Sequence, residues 1–350
     1  MSVTLRDVAA RVGCSVTTVS RALNGHADVG AATRARIEGA ARALGYTPNA
    51  SAQRLITGRT RTCGMVMPLP SGHFGDPFLL ELLIGIGEAL AGSGLDLIVT
   101  AAAPGAAELE AYRRLVDGRR VDGLFVSRTR VADERIAFLM ARRFPFVAHG
   151  RVPGPGRFDS LEVDNLAGAR LAFAALHAAG HRRFAMLNAP RGLNFARERE
   201  AGFAAAARDA GLPPPTVLEA ADASEEEGER LAAVLLAIAP DVTGLFCAND
   251  RLALGAMRTL RHAGRCIGRD LGVVGYDNLP AARFAEPALT TIDQATRAAG
   301  RRLAELLVAR LADGAAPPRM ELWQPALTLR QSHTLGAKPL PAAARSPGGG

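Results

Sequence analysis

Residues 15–25, Ser-Val-Thr-Thr-Val-Ser-Arg-Ala-Leu-Asn-Gly, gather the groups of this chain best suited to reading a polar, anionic partner. On a helix, Val19, Ala22 and Leu23 fall at i, i+3 and i+4 and form one inward stripe. Val16, Thr17, Ser20 and Arg21 are then left on the open face. Small hydroxyls and one guanidinium, held on a short exposed helix, are the chemistry of hydrogen bonding to nucleic acid.

That face needs elements around it. Thr4-Leu5-Arg6-Asp7 places an acid three residues after a hydroxyl, a capping-box spacing, and opens a helix with Val8, Ala9 and Val12 on one side. Gly13-Cys14-Ser15 breaks this helix, and Ser15 can cap the next. A third helix is expected over 33–44, with Ile37, Ala40, Ala41 and Leu44 closing a small core, Gly45 at its C-cap and Pro48 preventing continuation. Two short helices about a Gly turn make a helix-turn-helix. Residues 1–61 carry nine Arg against Asp7, Asp28 and Glu38, a net +6 out of +8 for all 350 residues. The footprint of a polyanionic partner therefore lies in the N-terminal sixth; the competing reading is a helical appendage with a solvated basic face.

A chain of 350 residues with 48% hydrophobic content should hold more than one globular domain. Cys14, Cys63, Cys247 and Cys266 show neither paired nor His-linked spacing, so no disulfide framework and no metal site are expected. No signal peptide and no apolar run of spanning length is seen, which points to a reducing cytoplasm and no membrane partner. Gly85-Ile86-Gly87 falls inside a helix, and GxxxxGK[ST], GxSxG and HExxH are absent. These absences count against an enzyme, and no cofactor is expected.

From residue 62 short apolar runs alternate with helical periodicity. Strands are expected at 63–67, 95–100, 123–126, 146–148, 161–163, 184–187, 244–247 and 272–275. Helices are expected at 77–91, 108–117, 134–141, 165–179, 195–210, after a Ser224 cap with Glu227, at 250–263 and at 296–311. Closing strands are expected within 322–329. Such alternation implies doubly wound parallel sheets, and two series divided by the Gly/Pro-rich 153–156 imply two lobes. The segment 48–61 reads either as a short hinge helix, with Pro48 first and Gly58 last, or as a flexible linker. The Pro/Ala/Gly-rich end of the chain is expected to be disordered.

These runs together resemble the lactose-repressor (LacI/GalR) family. The resemblance is carried by Thr4-Leu5-Arg6-Asp7-Val8-Ala9, by residues 15–25, and by Leu44-Gly45-Tyr46-Thr47-Pro48-Asn49 leading into Ala52-Gln53-Arg54-Leu55. Asp76-Pro77-Phe78, Cys247-Ala248-Asn249-Asp250, Val273-Val274-Gly275-Tyr276-Asp277-Asn278 and Ala288-Leu289-Thr290-Thr291-Ile292 follow in the family's order, covering residues 3–333. The run His149-Gly150-Arg151 resembles the α-glucoside-responsive subgroup, where many other relatives place Asp before that Arg.

The resemblance implies an all-α headpiece (1–47), a hinge (48–61) and a two-lobed α/β body like a periplasmic sugar-binding protein (62–333), ahead of a disordered tail (334–350). The N-lobe would comprise about 62–163 and 294–323 and the C-lobe about 164–293 and 324–333, with crossovers near Asp164, Asp293 and Gln324. It implies a homodimeric transcriptional repressor, released from a palindromic double-stranded DNA operator by a sugar effector. Val16, Thr17 and Arg21 match positions that meet base edges; Arg21 can hold a guanine bidentately. Val16 departs from the more polar residues common there. Thr4, Ser15, Thr18, Ser20 and Asn24 suit phosphate contacts, and Asn49 and Ala52 belong to the segment leading to Leu55, which matches the leucine that wedges into the minor groove.

For the effector, Arg197, Asn249 and Asp277 match ligand-contact positions, with an interlobe salt bridge as the other reading of Arg197 and Asp277. His73, Phe74 and Asp76, and His149 with Arg151, are further candidates; Phe74 can stack on a sugar ring or simply fill a loop. Asp250 is expected to cap its helix, and Trp323 to be a core or hinge residue. The alternatives are a nucleobase corepressor, which calls for more aromatic stacking, an enzyme with a fused DNA-binding domain, and a plain sugar-binding protein, which calls for a signal peptide and no basic headpiece.

Overall fold

The computed structural model describes residues 3–46, 58–68, 76–154 and 157–336. It divides into two compact units, Met1–Thr60 and Arg61–Gly350.

The first unit holds α1 (Leu5–Val12), α2 (Val16–Leu23) and α3 (Ala31–Leu44). Val8, Ala9, Val19, Ala22, Ile37 and Ala41 are buried together, so the inward stripes expected from spacing meet in one small core. The Thr4 amide and hydroxyl both donate to Asp7 Oδ2 at 2.8 Å. Gly13 ends α1 at φ 66°, a left-handed turn that an L side chain resists. Ser15 Oγ then accepts from the Thr18 amide at 3.0 Å and starts α2. The third helix begins at Ala31 and not at residue 33, because Gly30 serves as its N-cap and two alanines extend the first turn.

The second unit contains two sheets of six strands. The first has the order β11-β5-β4-β3-β1-β2, built from β1 (Thr62–Pro68), β2 (Asp96–Ala102), β3 (Gly123–Val126), β4 (Phe146–His149), β5 (Asp159–Val163) and β11 (Met320–Trp323), all parallel. The second has the order β12-β10-β9-β8-β6-β7, from β6 (Phe184–Asn188), β7 (Thr216–Glu219), β8 (Gly244–Cys247), β9 (Gly272–Tyr276), β10 (Thr290–Asp293) and β12 (Ala326–Thr328). Only the β10–β12 pair is antiparallel. The central strands are buried on both faces and accordingly read as continuous apolar runs.

Helices cover both sheets: α4 (Pro77–Leu90), α5 (Ala106–Asp117), α6 (Glu134–Ala141) and α11 (Thr296–Ala312) in the first lobe, α7 (Asn165–Ala178), α8 (Asn194–Asp209), α9 (Glu225–Ile238) and α10 (Asp250–His262) in the second. The chain passes between the sheets at 164, at 294–295 and at 324–325, so each lobe is assembled from separated segments.

One strand is added to those expected, and the end of the body moves. The stretch after Pro213-Pro214-Pro215 is a strand, β7, whose half-buried edge position leaves only a faint alternation. The expected closing strands are β11 and β12, one in each sheet, divided at Gln324-Pro325 where the crossover was expected. The body also extends beyond 333: Thr334 Oγ1 donates to Gly268 O at 2.7 Å and the Gly336 amide to Arg269 O at 2.9 Å. Residues 337–350 lie outside the described residues.

Candidate nucleic-acid interface and ligand cleft

The headpiece presents Val16, Thr17 and Arg21 as exposed residues on α2, the face that spacing left open. Arg21 is held by an ion pair, its Nη2 lying 2.7 Å from Asp28 Oδ2, and that guanidinium keeps the Asp28 carboxyl below its usual range. Thr4 and Ser15 are exposed, Thr18, Ser20 and Asn24 half-buried, and Asn24 Nδ2 donates to Ser20 Oγ at 3.4 Å. Arg36 Nη2 reaches Cys14 Sγ at 3.4 Å in the turn between the helices. Asn49, Ala52 and Leu55 lie outside the described residues, as do His73 and Phe74.

In the body, an open cavity lies between the lobes at the carboxyl ends of the strands. Five of its residues lie at or just beyond strand ends: Arg128 and Thr129 after β3, His149 at the end of β4, Glu162 near the end of β5 and Asp277 after β9. Phe78 and Phe195 supply aromatic surface from the two lobes.

Arg199 is the central cation. Its Nε donates to Asn165 Oδ1 at 2.9 Å and its Nη1 to Ala248 O at 2.5 Å. The guanidinium carbon lies 3.4 Å from the Tyr276 ring centroid and 4.6 Å from that of Phe195. Nη1 stands 3.9 Å from Asp277 Oδ1, while Nη2 makes no hydrogen bond among the described residues. Asp277 Oδ1 also accepts from Gln294 Nε2 at 2.6 Å. Burial raises the Asp277 carboxyl to about 6 against the pull of Arg199 and Arg128. Asp277 and Asn278 both take positive φ, 111° and 53°, in the turn that directs this carboxylate into the cleft.

Arg197, the sequence candidate, is exposed and does not line the cavity. On α8 a step of four residues carries Phe195 onto the face of Arg199, whereas two residues rotate Arg197 to the far side. The cleft guanidinium is Arg199. A further correction concerns the start of α10: Asn249 caps it, accepting from the Leu252 amide at 2.9 Å, while its Nδ2 donates to Ala223 O at 3.0 Å. Asp250 is instead fully buried. It accepts from the Leu279 amide at 2.7 Å and Thr291 Oγ1 at 2.6 Å, with burial raising its carboxyl well above the ordinary range.

His149 lines the cavity beside Phe78, ring centroids 5.6 Å apart. Its Nε2 is shielded from solvent without a partner among the described residues, and burial together with Arg199 depresses the imidazole to about 4. Asp76 caps α4, accepting from the Phe78 amide at 3.1 Å, and pairs with Arg128, which burial pulls down to about 10.

Arg151 lies outside the cavity and bridges the lobes. Its Nε and Nη2 donate to Glu198 Oε1 at 2.9 and 2.8 Å, and its amide to Glu162 Oε2 at 2.5 Å. Glu162 Oε1 accepts from Asn165 Nδ2 at 2.8 Å; burial and the nearby Glu198 raise its carboxyl to about 8. A short antiparallel seam joins the lobes beside this bridge, with Val131 N donating to Gly192 O and Asn194 N to Thr129 O, both at 3.0 Å. Asn194 Nδ2 reaches Arg130 O at 2.9 Å and Arg151 O at 2.7 Å.

Of the effector contacts expected from the sequence, His149, Asn249 and Asp277 line the one cavity while Asp76, Arg151 and Arg197 do not, and Arg128, Thr129, Glu162 and Arg199 line it although none was expected there. The strand-end rule applied to Asp277 also reaches Arg128, Thr129 and Glu162. Among the described residues no helix is long and apolar enough to cross a membrane, and no cluster of His, Cys, Asp and Glu could hold a metal ion.

Residues 4–49 match the family model for bacterial regulatory proteins of the lacI family, and residues 173–333 that for a periplasmic binding protein-like domain. The chain is 37% identical to the HTH-type transcriptional regulator AglR of Rhizobium meliloti (strain 1021), over 95% of this chain and 94% of that one. A solved complex of the transcriptional regulator CelR with cellobiose superposes with a TM-score of 0.74 at 32% identity, covering 94% of this chain and 99% of that chain. The lac repressor dimer bound to operator and the anti-inducer ONPF superposes with a TM-score of 0.82 at 29% identity, covering 95% and 100%.

Proposed function

The chain belongs to the lacI family of bacterial regulatory proteins, sequence-specific DNA-binding regulators and not enzymes, and we propose that it is a repressor released from its operator by a neutral sugar of the α-glucoside kind. The observation that carries the sugar reading is the pairing of Arg199 and Asp277 in one cavity with two aromatic walls. A guanidinium with an unused Nη2 and a carboxylate 3.9 Å from its Nη1 can together hold neighbouring hydroxyls of one ring. Phe78 and Phe195 offer the flat apolar surface that the carbon face of a sugar needs. His149 adds a neutral imidazole nitrogen able to accept or donate, according to its tautomer.

On this reading the headpiece addresses DNA through Val16, Thr17 and Arg21, with Thr4, Ser15, Thr18, Ser20 and Asn24 near phosphates. Asn49, Ala52 and Leu55 remain part of the proposal by resemblance alone. A homodimer would bring two headpieces to the two halves of a palindrome. Exposed Leu80 and Ile84 on α4, with Ile98 and Val99 on the edge strand β2, supply apolar surface for that pairing. Sugar favours one arrangement of the lobes, and a complete switch needs a preference of about 10⁴-fold between states.

The test is a fluorescence-anisotropy titration on DNA from upstream of the gene, at fixed salt, with maltose, cellobiose, a galactoside and a purine added in turn. Release by maltose supports the proposal. Release by the purine alone replaces the sugar with a nucleobase, and tighter binding with sugar reverses the sign of regulation.

A further inference from the structure

Beside the seam, the first lobe gathers four charged groups against one another, Glu108, Asp133 and Arg135 buried and Arg130 half-buried. Glu108 on α5 is fully buried and pairs with both Arg130 and Arg135, the latter through Arg135 Nη1 at 2.6 Å from Glu108 Oε1. Arg135, 1% exposed at the start of α6, also donates from Nε to Asp133 Oδ1 at 3.0 Å and from Nη2 to Asp133 Oδ2 at 2.7 Å. Two carboxylates and two guanidiniums cancel. Burial works against the charge on Arg135, and the Asp133 and Glu108 carboxylates more than restore it.

The cluster grips one loop. Arg135 Nη2 donates to the backbone oxygen of Arg128 at 3.0 Å, and the Arg130 amide donates to Asp133 Oδ2 at 2.9 Å. Between these two fixed points lie Arg128, held at φ 51°, and Thr129, both lining the cavity. Immediately beyond them is the seam, where Thr129 O and Val131 N meet Asn194 and Gly192 of the other lobe. A buried ionic cluster is a poor source of stability compared with apolar packing; what it can add is one defined backbone arrangement.

We infer that Glu108 is a positioning residue for the cleft: by clamping Arg130 and Arg135 it fixes loop 128–133, and so sets both the cavity wall and the seam that holds the lobes together. The inference rests on the reading of this cleft as the effector site only for its consequence, that sugar sensitivity depends on a residue buried outside the cavity.

Glu108→Gln keeps the shape and removes the charge. Arg130→Met breaks one ion pair at a residue whose side chain is 27% exposed, so it serves if Glu108→Gln does not fold. Hydrogen exchange on the intact protein without sugar reads the seam directly through the amides of Val131 and Asn194, with β1 as internal control. We expect seam protection to fall at least about tenfold in both variants with β1 unchanged, and Arg130→Lys to restore most of it. Seam protection within about twofold of the parent in folded Arg130→Met and Glu108→Gln would overturn the inference, and so would equal loss at β1. Operator release by maltose, measured alongside, should need at least about tenfold more sugar in the variants. If the seam loosens but maltose releases neither parent nor variant, the positioning role stands and the sugar reading fails.

Discussion

Arg21 is already engaged before any DNA arrives, through its pair with Asp28. The proposed base contact would exchange that carboxylate for a guanine edge. Arg21→Ala should therefore weaken specific binding by about 1–3 kcal/mol and relax preference at a single base pair, as a mutated-operator series would reveal. Asp28→Asn should tighten binding, most visibly at low salt. In the cleft, Arg199→Met should retain operator binding yet fail to respond to sugar in the anisotropy assay; undiminished release would remove Arg199 from the site. The buried acids also make a pH prediction. Glu162 titrates near 8 and Asp277 near 6 in the folded body, both above ordinary carboxyls, so the native state holds their protons longer than the unfolded chain. Their contribution is complete below the usual carboxyl range and is lost as pH rises through about 6 and then about 8. His149, depressed to about 4, acts oppositely: its contribution is present above about 6.5 and lost as pH falls through 4. Glu162→Gln should flatten the alkaline side of a melting-temperature profile; an unaltered slope between pH 6 and 9 would contradict the assignment. Residue identity in such sites was legible only where chain direction sets it. Asp277 follows a strand end, whereas Arg197 and Arg199 are separated by helix phase, and nothing in their local spacing says which one faces inward until Phe195 is placed.

The elements themselves were legible because their periodicities are strong. Buried strands such as Gly244–Cys247 and Gly272–Tyr276 are short apolar runs, and the headpiece helices carry caps at both ends. Edge strand β7 was not, since half-buried Val217 and Leu218 after three prolines carry little pattern. Contacts between elements left signs that single-element reading passes over. Gly85 on α4 and Gly300 on α11 face one another so closely that a Cβ would lie 2.0 Å from Arg297 O in the first case and 2.3 Å from Leu82 O in the second. The second lobe repeats this with Gly228 on α9 and Gly255 on α10. Backbone against backbone leaves no side chain to move aside. Gly85→Ala should consequently cost about 1–3 kcal/mol or more in denaturant unfolding of the body while leaving the headpiece core untouched. A neutral result would mean that the helices can separate without penalty. The Glu108 cluster gave no sequence sign at all, because its members come from α5, α6 and the loop before α6 and meet only when the lobe has folded.

At the scale of the molecule, charge and shape are divided between the units. The net +6 of residues 1–61 against +8 overall assigns DNA attraction to the headpiece, while the cleft pairs its charges internally. Operator affinity should accordingly fall by roughly 10³–10⁵ between about 50 and 200 mM salt if 6–10 phosphates are met, with sugar affinity changing by less than about twofold. Parallel loss of both in isothermal titrations would mean that the cleft, too, relies on exposed charge. The division into lobes was foreseeable from two series of alternating elements, whereas the crossings near 164, 293 and 324 were implied by the family resemblance alone. Those crossings have a consequence in time. The first lobe begins at β1, but the helix that covers α4 starts only at Thr296 and the last strand of its sheet at Met320. At about 5–20 residues per second, a ribosome needs roughly 7–30 seconds to travel from the end of β5 to those segments. Throughout that interval the nascent first lobe has an uncovered α4 face, Leu79, Leu82 and Ile86 among it, while the headpiece made before it is already complete. Newborn chains of this regulator should therefore carry a finished DNA-reading unit ahead of an unfinished, chaperone-attracting body.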